Sequence, residues 1–526
     1  MNPCRRRNKP KVSDGLPNAS MFSAVISLVN STLGAGMLGI PLAYAKAGLL
    51  PAILMHITMA IMSLISFYFL VYVTDAMEQY TLGEIAETIF GLKGVVIIEL
   101  CNALYCFGSL WAYIILSASF LTSFLRGIGV AATNIFTKDW FIIILVAFFI
   151  LQPLSWLPTL DSLRFTSFLG TASMSICVFV IIFRYFKPFD PTFHPQPPLI
   201  ARPSLTLLQT FSTLTFAFGC QQNIPIIQGE IKGRLRKSMH KVSIMAISIV
   251  GAFYMFAGVF GYISFTDIFY TNPKSGNVLD LFADRDVFAN IARICSLLTV
   301  MFCFPVNSLP TRLAIYNIIS AFKTFRNRNR TPPIPLSTNS SHTNDADHIE
   351  SDDKIVSNGI HTKTADETQP LLGEQPKQKR SKKRILIDSL IGSLLVLTAA
   401  ILAAFVNKVN FVFDLVGSTA GVSIGFIIPA ALYIKFIRNP EKFTKLNRTV
   451  DPRYPTMAAD NEQRLRKILV PIGSRRDQET GEIVKLKKHR ADRKLLLGIV
   501  VLVFGIVSGG LSLAMAIVYD TGLVKG

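Results

Sequence analysis

The residues with the clearest chemical potential form a short stretch inside an apolar run near the start of the chain. The run extends from about Met21 to Ala45, and its centre reads Leu33-Gly34-Ala35-Gly36-Met37-Leu38-Gly39-Ile40-Pro41. Three glycines and a proline disfavour a continuous helix there. A helix that restarts around Gly36 to Gly39 has backbone N–H groups without intrahelical partners, which favour a carboxylate. The carbonyl groups that end the first half-helix, from Asn30 to Leu33, favour an ammonium group or a cation.

A second apolar run is interrupted in the same way, by Phe216-Ala217-Phe218-Gly219-Cys220-Gln221-Gln222-Asn223-Ile224-Pro225. Unpaired backbone groups are costly in hydrocarbon, so a broken membrane helix is expected only where it lines a cavity in the protein. Interrupted segments at corresponding positions of two halves are typical of the binding site of a transporter. The alternative is that the glycines serve close helix packing.

The composition indicates a membrane protein with many spans. Of 526 residues, 51% are hydrophobic and only 16% are charged, and apolar runs recur through most of the length. The formal net charge of +20 would suggest a nucleic-acid partner in a soluble protein. Here the basic residues collect between the apolar runs, so we interpret them as signals of membrane orientation and expect no nucleic-acid partner.

The runs predict eleven transmembrane helices in two inverted halves and one extra helix. Residues 20–187 hold spans one to five, residues 204–436 hold spans six to ten, and 494–519 is span eleven. The loop 324–383 lacks hydrophobic periodicity and is predicted to be disordered. The basic residues are concentrated in the N-terminal tail 1–19 and in the loops after the sixth, eighth and tenth spans, including 437–493, which places this side in the cytosol. The stretch after the second span lies on the same side but is acidic and does not support the assignment.

Polar side chains at helical spacing predict which faces line the site. They occupy one face of the third span (Glu99, Asn102, Cys106, Ser109, Tyr113) and one face of the eighth (Arg293, Ser296, Thr299, Cys303, Asn307). Such faces turn away from lipid, although hydrogen bonding between helices is an equally valid interpretation of each residue. Three carboxylates, Glu99, Asp388 and Asp414, lie near span ends, where solvation at the membrane interface is expected.

The stretch from Asn30 to Pro41, followed by Ala47-Gly48-Leu49, resembles the first-span signature of the amino acid/auxin permease family, within the amino acid–polyamine–organocation superfamily. The sixth span, with Phe216-Ala217-Phe218, and the eighth, with Phe304-Pro305, are similar to that family too. The resemblance implies an all-α polytopic fold with a leucine-transporter-like five-plus-five inverted repeat. Many members place His after the sixth-span Cys, where this chain has Gln221.

These arguments predict a set of substrate-binding residues and a set for a coupling ion. The substrate set is Thr32, Gly34, Ala35, Gly36, Met37, Leu38, Asn102, Cys106, Phe216, Phe218, Gly219, Cys220 and Gln221. The coupling-ion set is Asn30, Leu33, Thr299 and Cys303. Neither break carries an ionisable side chain, which favours neutral, zwitterionic amino acids.

The eighth span favours a proton over sodium as the coupling ion. Sodium-coupled relatives that this chain resembles place Thr hydroxyls just before the eighth-span Pro, where this chain has Met301 and Cys303. Sodium prefers oxygen to sulfur, although Thr299 offers a hydroxyl one turn away. We find no metal cluster, cofactor motif or nucleophile–base pair in the sequence, and we expect no enzymatic activity.

The sequence therefore favours a secondary active transporter of amino acids that works by alternating access. The alternative is an amino acid-sensing receptor that signals through its cytosolic loops. Within the loop 324–383, Glu367, Leu371 and Leu372 match the acidic dileucine pattern that clathrin adaptors read. The pattern favours a vacuolar or endolysosomal membrane over the plasma membrane, with a coincidental leucine pair as the alternative.

Overall fold

The structure, a computed structural model, describes residues 20–131, 133–156, 163–190, 198–201, 205–231, 238–271, 276–328, 382–439, 443 and 481–520. These residues form a succession of helices, which we number along the chain. They are α1 Met21–Thr32, α2 Gly36–Ala47, α3 Leu49–Met77, α4 Leu82–Gly127, α5 Asp139–Ser155, α6 Leu163–Phe186, α7 Leu207–Ala217, α8 Asn223–Glu230, α9 Met239–Ser264, α10 Thr266–Thr271, α11 Val287–Arg328, α12 Lys382–Phe405, α13 Val409–Arg438 and α14 Gly481–Asp520.

The chain is an all-helical, multi-pass membrane protein. Among the described residues, eight helices are long and apolar enough to cross a membrane, and counting the bent pair α1–α2 as one span gives nine. The eleven predicted spans include two more segments that are too short for this count. The fourth is α5, and the sixth consists of α7, with 11 residues, and α8, with 8.

Both predicted breaks are present. Helices α1 and α2 are bent by 57° across Leu33–Ala35, and α7 ends at Ala217 before α8 restarts at Asn223. The prolines lie beyond the breaks, not in them. Pro41 is inside α2, and Pro225 lies in the first turn of α8, where a missing N–H costs no helical hydrogen bond.

The two breaks pack directly against each other. A Cβ added to Gly36 would lie 2.7 Å from Cα of Ala217, so the start of α2 touches the end of α7 backbone to backbone. Only a residue without a side chain allows this approach. Behind them, a Cβ added to Gly417 in α13 would lie even closer to the carbonyl oxygen of Ser212 in α7, so that glycine serves helix packing.

Helix α4 is kinked near its start. Gly91 has φ 71° and ψ −168°, a conformation that favours glycine, and it separates Leu82–Phe90 from the long helix that follows. The short first segment packs beside the long one, because a Cβ at Gly83 would lie 2.6 Å from a carboxylate oxygen of Glu99. Glu99 is therefore covered by its own helix.

Candidate functional site: a cavity between two broken helices

A small cavity lies where the two breaks meet the faces of α4 and α11. The volume open to the centres of water molecules is about 40 Å³. Of the described residues that line it, none carries a charge. They are Asn30, Ser31, Thr32, Gly34, Ala35, Gly36, Tyr105, Cys106, Ser109, Tyr113, Phe216, Ala217, Gly219, Gln222, Asn223, Cys303, Val306, Asn307 and Pro310.

At the first break, the turn from Gly34 to Gly36 presents its backbone to the cavity. A Cβ on Gly34 would point at the hydroxyl of Tyr113, 3.3 Å away. The N–H groups of the next two residues, Met37 and Leu38, donate to the carbonyls of Gly34 and Ala35 at 3.3 and 3.2 Å. The side chains of Met37 and Leu38 are buried in the core and do not line the cavity.

At the second break, Phe216 and Gly219 line the cavity, while Phe218, Cys220 and Gln221 lie behind it. The side-chain oxygen of Gln221 accepts a hydrogen bond from the N–H of Cys220 at 2.9 Å, so this amide stabilises the break itself. The sulfur of Cys220 lies 2.9 Å from the hydroxyl of Thr32, which links the two breaks. Phe218 packs edge-on against Tyr254, with ring centroids 5.3 Å apart.

Two tyrosine hydroxyls contact backbone carbonyls at the breaks. The hydroxyl of Tyr254, in α9, lies 2.6 Å from the carbonyl oxygen of Thr32 and 3.0 Å from that of Ala217. The hydroxyl of Tyr105, in α4, lies 2.9 Å from the carbonyl oxygen of Phe216 and 2.6 Å from that of Gly219. Each hydroxyl has one hydrogen and can donate to one carbonyl of its pair at a time. Each hydroxyl therefore leaves one carbonyl of its pair to another donor, and for Phe216 the N–H of Gly219 donates at 3.2 Å.

Sequence reasoning missed both tyrosines. Tyr105 had a usable signal, because it precedes Ser109 and Tyr113 at spacings of four and so shares their helical face. Tyr254 lies in an apolar stretch of α9, and nothing in the spacing of that helix points to a break 222 residues earlier in the chain.

The predicted coupling-ion residues are only partly brought together. Asn30 and Cys303 line the cavity. Asn30 and Thr299 both border Gly170 of α6, and the hydroxyl of Thr299 donates to the carbonyl of Cys295 at 3.0 Å. The side chain of Leu33 is fully buried in the core. Asn102 lies one turn before Cys106, whose thiol donates to the amide oxygen of Asn102 at 3.7 Å, but it does not reach the cavity lining.

A buried ion pair joins three helices at the end of α2, outside the cavity lining. The ammonium of Lys46, at the end of α2, lies 2.7 Å from a carboxylate oxygen of Asp414 in α13. The hydroxyl of Thr213 in α7 donates to the other oxygen at 2.8 Å. Asp414 is fully buried. The sequence-based expectation that Asp414 is solvated at the interface is therefore wrong, and so is that for Glu99, which is 6% exposed.

Three known proteins are similar to this chain. The chain is 25% identical over 439 residues to vacuolar amino acid transporter 6 of Saccharomyces cerevisiae, covering 81% of this chain and 92% of that protein. It is 25% identical over 333 residues to sodium-coupled neutral amino acid symporter 2 of Danio rerio, covering 59% and 65%. A solved Na+-coupled sialic acid symporter is similar over 82% of this chain and 88% of that chain, with 13% identity and a TM-score of 0.43. Residues 17–453 match the family described as transmembrane amino acid transporter protein. Because the match covers well over half of the chain, this protein belongs to that family.

Proposed function

We propose that this protein is a secondary active transporter of neutral amino acids that works by alternating access. The observation that carries the proposal is the cavity itself, which is lined by uncharged residues and edged by the released backbone of two broken helices. An α-amino acid is a zwitterion, and its two charges need one set of donors and one set of acceptors. A third charge on the substrate would find no partner in this lining.

The backbone supplies both sets. The α-carboxylate fits the turn from Gly34 to Gly36, at the positive end of the α2 dipole. The α-ammonium group has three donors and fits the carbonyls that Tyr105 and Tyr254 contact, since each hydroxyl satisfies one carbonyl of its pair. The substrate side chain then faces the wall formed by α4 and α11, where Cys106 and Asn307 lie.

The proposed mechanism uses a five-plus-five inverted repeat, with residues 20–187 and 204–436 as the two halves. In support, each half begins with a broken helix pair, and the two breaks touch at Gly36 and Ala217. On the topology that the basic loops predict, α2 ends on the side away from the cytosol. The pair of Lys46 and Asp414 then closes the site on that side, and breaking it is part of opening the site there.

We propose a proton as the coupling ion and a vacuolar or endolysosomal membrane as the location. In support of the proton, the sulfur of Cys303, a ligand that sodium does not prefer, occupies the cavity wall. The name of the yeast relative supports a vacuolar location. The dileucine pattern at Glu367, Leu371 and Leu372, with its proposed clathrin-adaptor partners, lies outside the described residues.

The test is uptake by purified protein in liposomes, with a panel of neutral, acidic and basic amino acids under separately imposed pH and sodium gradients. We expect concentrative uptake of neutral amino acids driven by the pH gradient without sodium. If uptake collapses when sodium is removed at a constant pH gradient, the proposal that a proton is the coupling ion is wrong. Binding without any flux supports the receptor alternative, which depends on the loop 324–383, of which 329–381 lie outside the described residues.

A further inference from the structure

A buried carboxylate lies within the membrane-spanning part of α4 without an ionic partner. Glu99 is 6% exposed and lies between the folded-back segment at Gly83 and the face of α11. Its oxygen accepts a hydrogen bond from the side-chain amide of Asn317 at 2.8 Å. The two ion pairs among the described residues, Lys46 with Asp414 and Arg184 with Asp286, both lie elsewhere.

Three charged groups on the elements around Glu99 are engaged with other partners. The guanidinium of Arg312 in α11 donates to the carbonyl of Asp388 in α12 at 3.5 Å. The carboxylate of Asp388 accepts from the hydroxyl of Tyr316 at 2.8 Å. Lys435 of α13 lies over the ring of Phe90, 4.4 Å from its centroid. The titratable group that interacts electrostatically with Glu99 is the thiol of Cys106, which is neutral unless a base activates it.

Burial of an ionised carboxylate without a cation is costly, whereas a protonated carboxyl with one amide partner is tolerated. The charge state of Glu99 is therefore tied to whether water reaches it. Opening the packing between Gly83, Glu99 and Asn317 would admit water and favour release of the proton. Closing it again would favour proton uptake.

Glu99 is also connected to the cavity. It shares one face of α4 with Asn102 and Cys106, at spacings of three and four residues. The side chain of Asn102 interacts with the carboxylate of Glu99 on one side and accepts from the thiol of Cys106 on the other. Cys106 lines the cavity. Two helical turns, about 10 Å, separate Glu99 from the cavity wall, in the direction that the basic loops predict to be cytosolic.

We propose that Glu99 is the residue that carries the coupling proton. The inference rests on the proposed function and extends it by naming the group that binds the proton. The carboxylate takes one proton while the cavity is open away from the cytosol and the amino acid binds. The carboxyl gives that proton to water when the cytosolic packing around Gly83 and Asn317 opens. One neutral amino acid and one positive charge cross per cycle.

The test compares two kinds of transport in the same liposomes. Glu99→Gln removes the proton site but keeps an oxygen that can accept from Asn317. We expect this variant to lose concentrative uptake driven by a pH gradient and to lose the pH dependence of uptake. Counterflow, in which labelled amino acid exchanges for unlabelled with no gradient of protons, is expected to continue near the wild-type rate. Glu99→Asp retains a carboxyl group and is expected to retain driven uptake.

The matched control is Glu87→Gln, which makes the same change at an exposed carboxylate of the same helix and is expected to behave as wild type. Concentrative, pH-driven uptake by Glu99→Gln overturns the proposal. Loss of counterflow together with driven uptake also overturns it, because that result assigns Glu99 a role in packing alone. Absence of proton-driven uptake in the wild-type protein contradicts the proposed function instead, before any variant is compared.

Discussion

Loss of the ammonium of Lys46 is expected to favour the conformation in which the site is open on the side away from the cytosol. In Lys46→Met, the carboxylate of Asp414 keeps the hydroxyl of Thr213, 2.8 Å away, but loses the cation 2.7 Å from its other oxygen. Asp414 is fully buried, and the Lys46 side chain is 15% exposed. Removing one partner from a buried ion pair destabilises by about 3–5 kcal/mol. Because the pair joins α2, α7 and α13, we expect that loss to fall on the closed conformation.

A loss of that size shifts the ratio of closed to open protein by roughly two to three and a half powers of ten. The measurement uses the native thiols of Cys106 and Cys303, which line the cavity. A membrane-impermeant thiol reagent, applied from the side away from the cytosol, is expected to label them much faster in Lys46→Met than in wild type. Labelling is read by mass spectrometry of the peptides that contain them.

Arg184→Met is the matched control. Arg184 and Asp286 form an ion pair of nearly the same burial, 13% and 0% exposed, away from the cavity. This control is expected to lower thermal stability without faster labelling of the cavity thiols. The double variant Lys46→Met/Asp414→Leu removes both charges and is expected to recover thermal stability, because apolar replacement of a buried pair is often neutral. Equal labelling rates in Lys46→Met and Arg184→Met would refute the reasoning.

Three further outcomes are expected. Gly36→Ala places a Cβ 2.7 Å from the backbone of α7 and is expected to abolish transport, whereas in Gly34→Ala the nearest atom is 3.3 Å away. Gly34→Ala should therefore fold normally and bind substrate more weakly, and equal flux in the two variants contradicts this placement of the site. Burial raises the pKa of Asp280, which follows α10, from 3.8 to about 6. Between pH 3.8 and about 6, Asp280 therefore holds a proton in the folded protein and releases it in the unfolded protein. Stability is then expected to fall as pH rises through that window, and a melting temperature of Asp280→Asn that still falls there contradicts the assignment. Changing the leucines of the dileucine pattern to alanine is expected to move a tagged protein to the cell surface. If the tagged protein keeps its intracellular distribution, the pattern is not a sorting signal, and only the similarity to vacuolar transporters supports the proposed location.

The sequence alone determined the class of protein and the positions of the two breaks. Apolar runs of about 20 residues that recur through the chain indicate membrane spans, and a cluster of Gly, polar residues and Pro inside such a run disfavours a continuous helix. The stripes on the third and eighth spans were also readable, because helical spacing puts residues such as Cys106 and Asn307 on inward faces. These are local properties, which the order of residues along one helix contains.

Only the tertiary structure decided which groups meet. Tyr254 reaches a carbonyl 222 residues away, and Lys46 pairs with Asp414 across 368 residues. Glu99 and Asp414 both appear interfacial from their places near span ends, yet each is buried by elements distant in sequence or folded back at a kink. The reason is physical, because burial and pairing depend on how helices pack. A backbone contact such as that between Gly36 and Ala217 joins two helices, and the sequence of neither helix alone shows which helix it contacts.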